Sequence, residues 1–212
     1  MVTMHRPPVP VVRRRLVLGV DLGKMQTPAT IVAVEVCDGE WVWDHVRHGW
    51  TPGLAGEVAV IRFLESIPLG TSYDHVARRM WHVAERAGAG EIWMDATGVG
   101  VAVVEMVQQR RPAGLRCRLR PVAITSGREA HDECVPRREL LSRLAVEWQE
   151  GRVKVADGLR GWTQLRKELL ALDGNGRKTK GRDDLAMGLA LAVWGVAGVG
   201  PVRGERGDGR LV

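Results

Sequence analysis

The chain of 212 residues is long enough to bury one substantial core, and its 45% hydrophobic and 26% charged residues exclude a disordered or fibrous polymer. Lysine and arginine total 31 against 25 acidic residues, for a formal charge of +6 and a pI near 9.8, a balance that suits polyanionic partners and is shared by many basic proteins that bind none. Cys37, Cys117 and Cys134 form no CxxC pair, which excludes a dithiol redox centre or a cysteine zinc clamp and leaves reduced structural thiols. No apolar run approaches the roughly 20 residues of a membrane span, and the start of the chain mixes prolines with arginines where a secretory signal needs an apolar stretch. A cytosolic location with no membrane partner is expected.

Residues 1–15 combine Pro7, Pro8 and Pro10 with Arg6, Arg13, Arg14 and Arg15 and read as a flexible basic arm. Residues 16–21 form an apolar run closed by Asp21 and then Gly23, the pattern of a buried strand reaching a turn. Residues 30–36 are rich in β-branched side chains, Asp38 and Gly39 supply turn chemistry, and residues 41–48 continue as a strand. Residues 16–48 are therefore predicted to form a three-stranded antiparallel meander. Helical spacing of Val76, Met80, Val83, Ala84 and Ala87 predicts a helix over 73–87, stopped by Gly88 and Gly90.

From residue 91 onward the pattern alternates. Strands are predicted over 91–95, 117–124 and 153–156, and helices over 99–109, 137–150, 159–172 and 183–196. Helices between strands imply a partly parallel sheet covered on both faces. The last helix is rich in Ala, Gly and Leu, so small residues should set it close against the sheet. Residues 197–212 are rich in glycine and read as a disordered tail. The domain is therefore expected over 16–196, with a mixed α/β fold.

Asp21 and Asp95 each end a predicted strand, and Asp183 with Asp184 opens the last helix. In an open α/β sheet functional groups gather at the carboxyl ends of strands, so adjacent strands would bring Asp21 and Asp95 to one edge, with a helix N-terminus supplying the third carboxylate. Hard oxygen donors suit Mg²⁺ or Mn²⁺, and such a cluster repels itself unless cations occupy it. Two ions about 3.5 to 4 Å apart across a scissile phosphate would activate water and stabilise the leaving oxygen. Taken singly, each acid has a structural alternative: a strand-end aspartate forms turns, and acids at a helix start cap it.

Five segments taken in order resemble the nuclease domain of phage terminase large subunits. They are VLGVDLG around Asp21, IWMDATGVGVAVVEMV around Asp95, PVAITSG at 121–127, VPRRELLSRL at 135–144 and RDDLAMGLALAVW at 182–194. The resemblance implies an RNase H-like fold, two divalent metal ions and cleavage of double-stranded DNA, with Asp21, Asp95 and Asp183 or Asp184 as catalytic metal ligands. It also implies phage or prophage origin, work inside a bacterial host cell, and packaging partners such as a separate ATPase, a portal or a small terminase subunit. Two departures stand out. Arg182 occupies the place where the family often has a histidine, and the G-x-x-x-x-G-K-[ST] loop of the family's ATPase motor is missing.

The expected DNA contacts are Lys24 just past Asp21, the Thr97 hydroxyl, Arg128, Arg137 and Arg138, and the basic residues Arg177, Lys178, Lys180 and Arg182 of a glycine-containing loop over 173–182. Solvated turn lysines and a threonine bonded to its own backbone are the plain alternatives. His131, Asp132 and Glu133 lack a second histidine at metal spacing and read as a surface loop. Trp41, Trp43, Trp93, Trp148 and Trp194 fall inside predicted elements and read as packing rather than base-stacking residues. Three function classes follow: a terminase-type endonuclease without its own motor, a Holliday junction resolvase using the same acidic geometry, and a non-catalytic DNA-binding assembly module.

Overall fold

The computed structural model describes residues 15–23, 27–38, 41–44, 49–52, 57–127, 129–130, 134–172 and 182–196. Fourteen elements follow one another along the chain. They are β1 (Arg15–Asp21), β2 (Ala29–Asp38), β3 (Trp41–Asp44), β4 (Gly49–Pro52), β5 (Glu57–Ile67), α1 (Tyr73–Ala87), β6 (Glu91–Asp95), α2 (Gly100–Gln109), β7 (Arg118–Thr125), β8 (Cys134–Pro136), α3 (Arg137–Gln149), β9 (Val153–Val155), α4 (Trp162–Leu170) and α5 (Asp184–Val196).

Seven strands form one mixed sheet in the order β8-β7-β6-β1-β2-β5-β9. β1, β2 and β5 run antiparallel to their neighbours among themselves, whereas β6, β7 and β8 continue from β1 in parallel and β9 pairs in parallel with β5. Period-two alternation along each strand feeds two cores. Leu18, Val20, Ile31, Ala33, Ile92 and Met94 face α1 and α2, where Trp81 is buried and donates from Nε1 to the Val107 carbonyl at 2.7 Å. Val17, Val32, Val34 and Trp93 face the opposite layer with Leu140 and Leu144 of α3, Leu165 of α4 and the buried length of α5. The expected helices on both faces are present.

The predicted meander is corrected in its third strand. Residues 41–44 do not join the main sheet; they pair with Gly49–Pro52 in a separate two-stranded sheet, and the third antiparallel strand is β5. The reason is a bulge. The register jumps from Ala33↔Phe63 to Val34↔Ile61, leaving Arg62 as the extra residue, so the inward positions run Ala59, Ile61, then Leu64. A strict alternation cannot follow that shift. Arg62 Nε then donates to Glu35 Oε2 at 2.7 Å across the strands. The short edge strand β8 was likewise not expected, and α4 starts later than predicted because Gly161, with φ of 86°, sets its N-terminus.

The helix over residues 73–87 is found with the expected bounds, its N-terminus capped by the Ser72 side chain and its end by Gly88 in the left-handed conformation. Of the five tryptophans read as packing residues, Trp93 and Trp194 are buried and Trp148 stacks on Trp162 with ring centroids 6.1 Å apart; the side chains of Trp41 and Trp43 lie outside the described residues. The thiols of Cys37, Cys117 and Cys134 are free, and burial pushes Cys117 up to about 11, as expected for an inert structural thiol. Residues 1–14 of the expected arm and the whole of the expected tail lie outside the described residues, and Arg15 opens β1 instead of ending an arm. Among the described residues no helix is long and apolar enough to cross a membrane.

Candidate active site at the sheet edge

Asp21 and Asp95 are register partners at the ends of the adjacent parallel strands β1 and β6, a spacing of about 4.8 Å between strands. Alternation decides which way they face. Asp21 lies two residues beyond Gly19, and Asp95 two beyond Trp93, both of which contact α5, so both carboxylates fall on the α5 side of the sheet. Each closes its strand with the same local turn. The Gly23 N–H donates to Asp21 Oδ1 at 2.9 Å, and the Thr97 N–H donates to Asp95 Oδ1 at 2.7 Å. Gly23 has φ of 64°, and a Cβ there would meet the Thr27 carbonyl oxygen at 2.4 Å, so this turn requires glycine.

α5 brings the remaining acids to the same edge, and small residues set its distance. A Cβ on Gly19 would lie 1.9 Å from the Gly188 carbonyl oxygen, and one on Gly188 would meet Val32 at 3.0 Å and Thr30 at 3.2 Å. The helix therefore sits directly on β1 and β2, as the small residues in its sequence predicted. Thr30, the register partner of Asp21 on β2, is fully buried and donates its hydroxyl to the Asp184 carbonyl at 2.9 Å. Asp184 is 6% exposed. Asp183 precedes the helix, accepts from the Met187 N–H at 2.9 Å through its carbonyl, and pairs through Oδ2 with Arg137 at the start of α3.

Electrostatics register this convergence. Burial pushes the Asp21 carboxyl up to about 7; the Gly23 N–H opposes the shift, and the negative charges of Asp95, Asp184 and Asp183 add to it. The other three acids named from the sequence are thus within electrostatic reach of Asp21. Among the described residues no group of three or more His, Cys, Asp or Glu side chains is closed up around an ion position. The residue types are nevertheless those a divalent cation takes: carboxylates are hard oxygen donors, and Asp95, Asp184 and Asp183 all lie near enough to Asp21 to add their charges to the effect of its burial.

The expected DNA contacts divide. Arg138 and Arg182 are exposed beside the acids, whereas Arg137 is engaged with Asp183. The Thr97 hydroxyl accepts from the Ile124 N–H at 2.6 Å and lies 3.4 Å from the Ile124 carbonyl, so it ties the β6 turn to β7, 27 residues away, and not to its own local backbone. Lys24, Arg128, Arg177, Lys178 and Lys180 lie outside the described residues, as do His131, Asp132 and Glu133.

Two residues of the site were not found by sequence reasoning. Thr30 reads as one more β-branched strand residue, and only its zero exposure marks it. Glu168 is 4% exposed; its Oε2 accepts from the Leu185 and Ala186 N–H groups at 2.8 and 3.1 Å, and its Oε1 accepts from Gln164 at 2.9 Å. Glu168 therefore caps α5 from α4, the role that stood as the structural alternative for Asp183 and Asp184. Its position three residues after the buried Leu165, on the apolar side of α4, is the signal that was available.

A mixed sheet with helices on both faces and strand-end acids beside the start of a last helix is the architecture expected of an RNase H-like fold. No protein-family model and no curated protein matches the sequence. Solved structures do match. The nuclease domain of the large terminase subunit of bacterial virus Sf6 superposes with a TM-score of 0.59 at 13% identity, over 84% of this chain and 87% of that one. The large terminase nuclease of thermophilic phage G20c gives 0.57 at 21% identity, over 85% and 81%. A mutant of the Sf6 domain, solved with manganese, gives 0.57 at 13%, over 84% and 88%. The chain has the fold of these terminase nuclease domains.

Proposed function

We propose that the protein is a metal-dependent endodeoxyribonuclease that hydrolyses double-stranded DNA at the sheet edge, in viral genome packaging. The observation that carries this reading is the convergence of Asp21, Asp95 and the adjacent Asp183 and Asp184, from three places far apart in sequence, on one edge of a terminase-type fold. Asp21, Asp95 and Asp184 would hold divalent ions, with Asp183 as a further ligand. That a mutant of the Sf6 nuclease domain was solved with manganese supports a divalent ion, Mn²⁺ or Mg²⁺, as the cofactor. Two ions bound there would polarise a water molecule and offset the charge on the leaving oxygen.

The protein's own groups have separate tasks. The turns at Gly23 and Thr97 fix one oxygen of Asp21 and of Asp95, and Thr30 and Glu168 fix the start of α5. Arg138 and Arg182 would meet the DNA backbone, with Lys24, Arg177, Lys178 and Lys180, on segments adjoining the acids in sequence, and Arg128, three residues past the end of β7, as further cationic contacts. By analogy with the terminase nuclease domains it resembles, a packaging ATPase, a portal or a small terminase subunit is the expected partner, in the cytoplasm of a bacterial host. The domain spans 16–196, flanked by the basic arm and the glycine-rich tail.

Supercoiled plasmid incubated with Mg²⁺ or Mn²⁺ tests the reading. Wild-type protein is expected to nick and linearise it, and Asp95→Ala or added EDTA to abolish cutting. Binding without cutting in either metal would favour the non-catalytic assembly module. Preferred cutting of four-way-junction DNA over duplex would favour a resolvase.

A further inference from the structure

The acidic edge already contains a cation. Arg137 is the first residue of α3, directly after Pro136, which ends β8 opposite Thr125 of β7. Its guanidinium pairs with Asp183 Oδ2, and Asp183 is in turn held at the start of α5 by the Met187 N–H. Both partners are therefore positioned by the sheet edge and not by a wandering loop. The Arg137 side chain is 34% exposed and that of Asp183 is 13%, so the pair lies between the buried acids and solvent.

The two neighbouring aspartates consequently differ. Asp184 is buried, and its backbone carbonyl is pinned by Thr30, the register partner of Asp21. Asp183 faces an arginine. A carboxylate oxygen that accepts from a guanidinium is less available to a second cation, and a positive charge beside the cluster lowers its attraction for a divalent ion. The same charge relieves the repulsion among four clustered acids when no divalent ion is bound.

We propose that Arg137 is a built-in counter-cation: it holds Asp183 in the metal-free protein, and a divalent ion must displace it to recruit that carboxylate. The inference rests on the metal-site reading above. Arg137 is then a positioning residue that sets metal affinity, Asp184 is the resident ligand and Asp183 the exchangeable one.

Calorimetric titration of Mn²⁺ into the full chain, with thermal unfolding in EDTA, tests this. Arg137→Gln is expected to bind Mn²⁺ about fivefold more tightly than wild type while melting at a lower temperature in EDTA. In an Asp183→Asn background, Arg137→Gln should change both quantities much less than it does in wild type, since the pair is then absent on both sides of the comparison and only the arginine's charge on the remaining acids is left. Arg137→Lys keeps the charge without the planar fork and should shift affinity in the same direction by a smaller factor, which covers the case of a Gln variant that does not fold. Mn²⁺ binding by wild type with unchanged or weaker affinity in the Arg137 variants would overturn the proposal and leave the metal site standing. No Mn²⁺ binding by wild type or variants would overturn the metal-site reading and the proposal with it.

Discussion

Asp21 couples the acidic edge to the stability of the fold. Its carboxyl keeps a proton up to about pH 7 in the folded chain, through burial first and then through neighbouring acids, whereas the unfolded chain releases it near 3.8. Between those values the folded state binds the extra proton, so this group's contribution to stability is fully present below pH 3.8, is lost as pH rises through the window, and is flat above about 7. Asp21→Asn removes the charge while keeping an oxygen for the Gly23 N–H. In EDTA it should therefore gain stability over wild type as pH rises from 4 to 8, by at most about 4 kcal/mol. Urea unfolding of both proteins across that range checks it; a difference that does not change between pH 4 and 8 would contradict the raised carboxyl. Asp21 and Asp95 were legible in the sequence because a carboxylate after an apolar run marks a strand end. The choice between Asp183 and Asp184 was not. Adjacent helical residues diverge by about 100°, and partners from far along the chain distinguish them: the Thr30 hydroxyl, 154 residues away, at the Asp184 carbonyl, and the Arg137 guanidinium, 46 residues away, at the Asp183 carboxylate.

At the scale of elements, α5 is the ruler of the site. Its backbone touches β1 where Gly19 meets Gly188, and its start is capped from α4 by Glu168. A methyl group at Gly19 has no room, because the atom it meets is backbone rather than the end of a flexible side chain. Gly19→Ala is expected to destabilise the protein by about 1–3 kcal/mol and, by lifting α5, to weaken Mn²⁺ binding as well. Gly90→Ala is the control, since a Cβ there meets nothing within 4 Å; it should stay within about 0.5 kcal/mol of wild type and leave metal binding unchanged. Equal losses in the two variants, read by denaturant unfolding and calorimetry, would refute the close-contact account. The small residues of α5 announced a tight contact, but the strand it meets is decided by sheet order. β5 shows the opposite limit: its hydrophobic residues are plain, yet the bulge at Arg62 shifts their parity and hides the strand from a period-two reading.

Across the whole molecule charge is distributed by sheet end. Arg138 and Arg182 are exposed at the end that carries the acids, whereas Arg118, 75% exposed, pairs in register with Glu91 at the opposite end. If DNA lies along the acidic edge, Arg138→Ala and Arg182→Ala should each reduce the slope of log affinity against log salt by about one, and Arg118→Ala should leave it unchanged. Fluorescence anisotropy with a labelled duplex in EDTA, at several salt concentrations, measures this; a slope altered by Arg118→Ala alone would move the DNA to the other end of the sheet.

By itself the sequence determined the elements of regular period: the strands ending at Asp21 and Asp95, the helix from Tyr73 to Ala87, and a last helix smooth enough to lie on a sheet. It also determined that acids stand where strands and a helix meet, because apolar periodicity and turn chemistry are local properties. Only the tertiary structure decided that Glu57–Ile67 completes the antiparallel half, that Asp184 is the buried aspartate, that Glu168 caps its helix, and that Arg137 guards Asp183. Each of these depends on partners brought together by packing across the sheet or between helices, and spacing along the chain carries no record of which distant groups will meet.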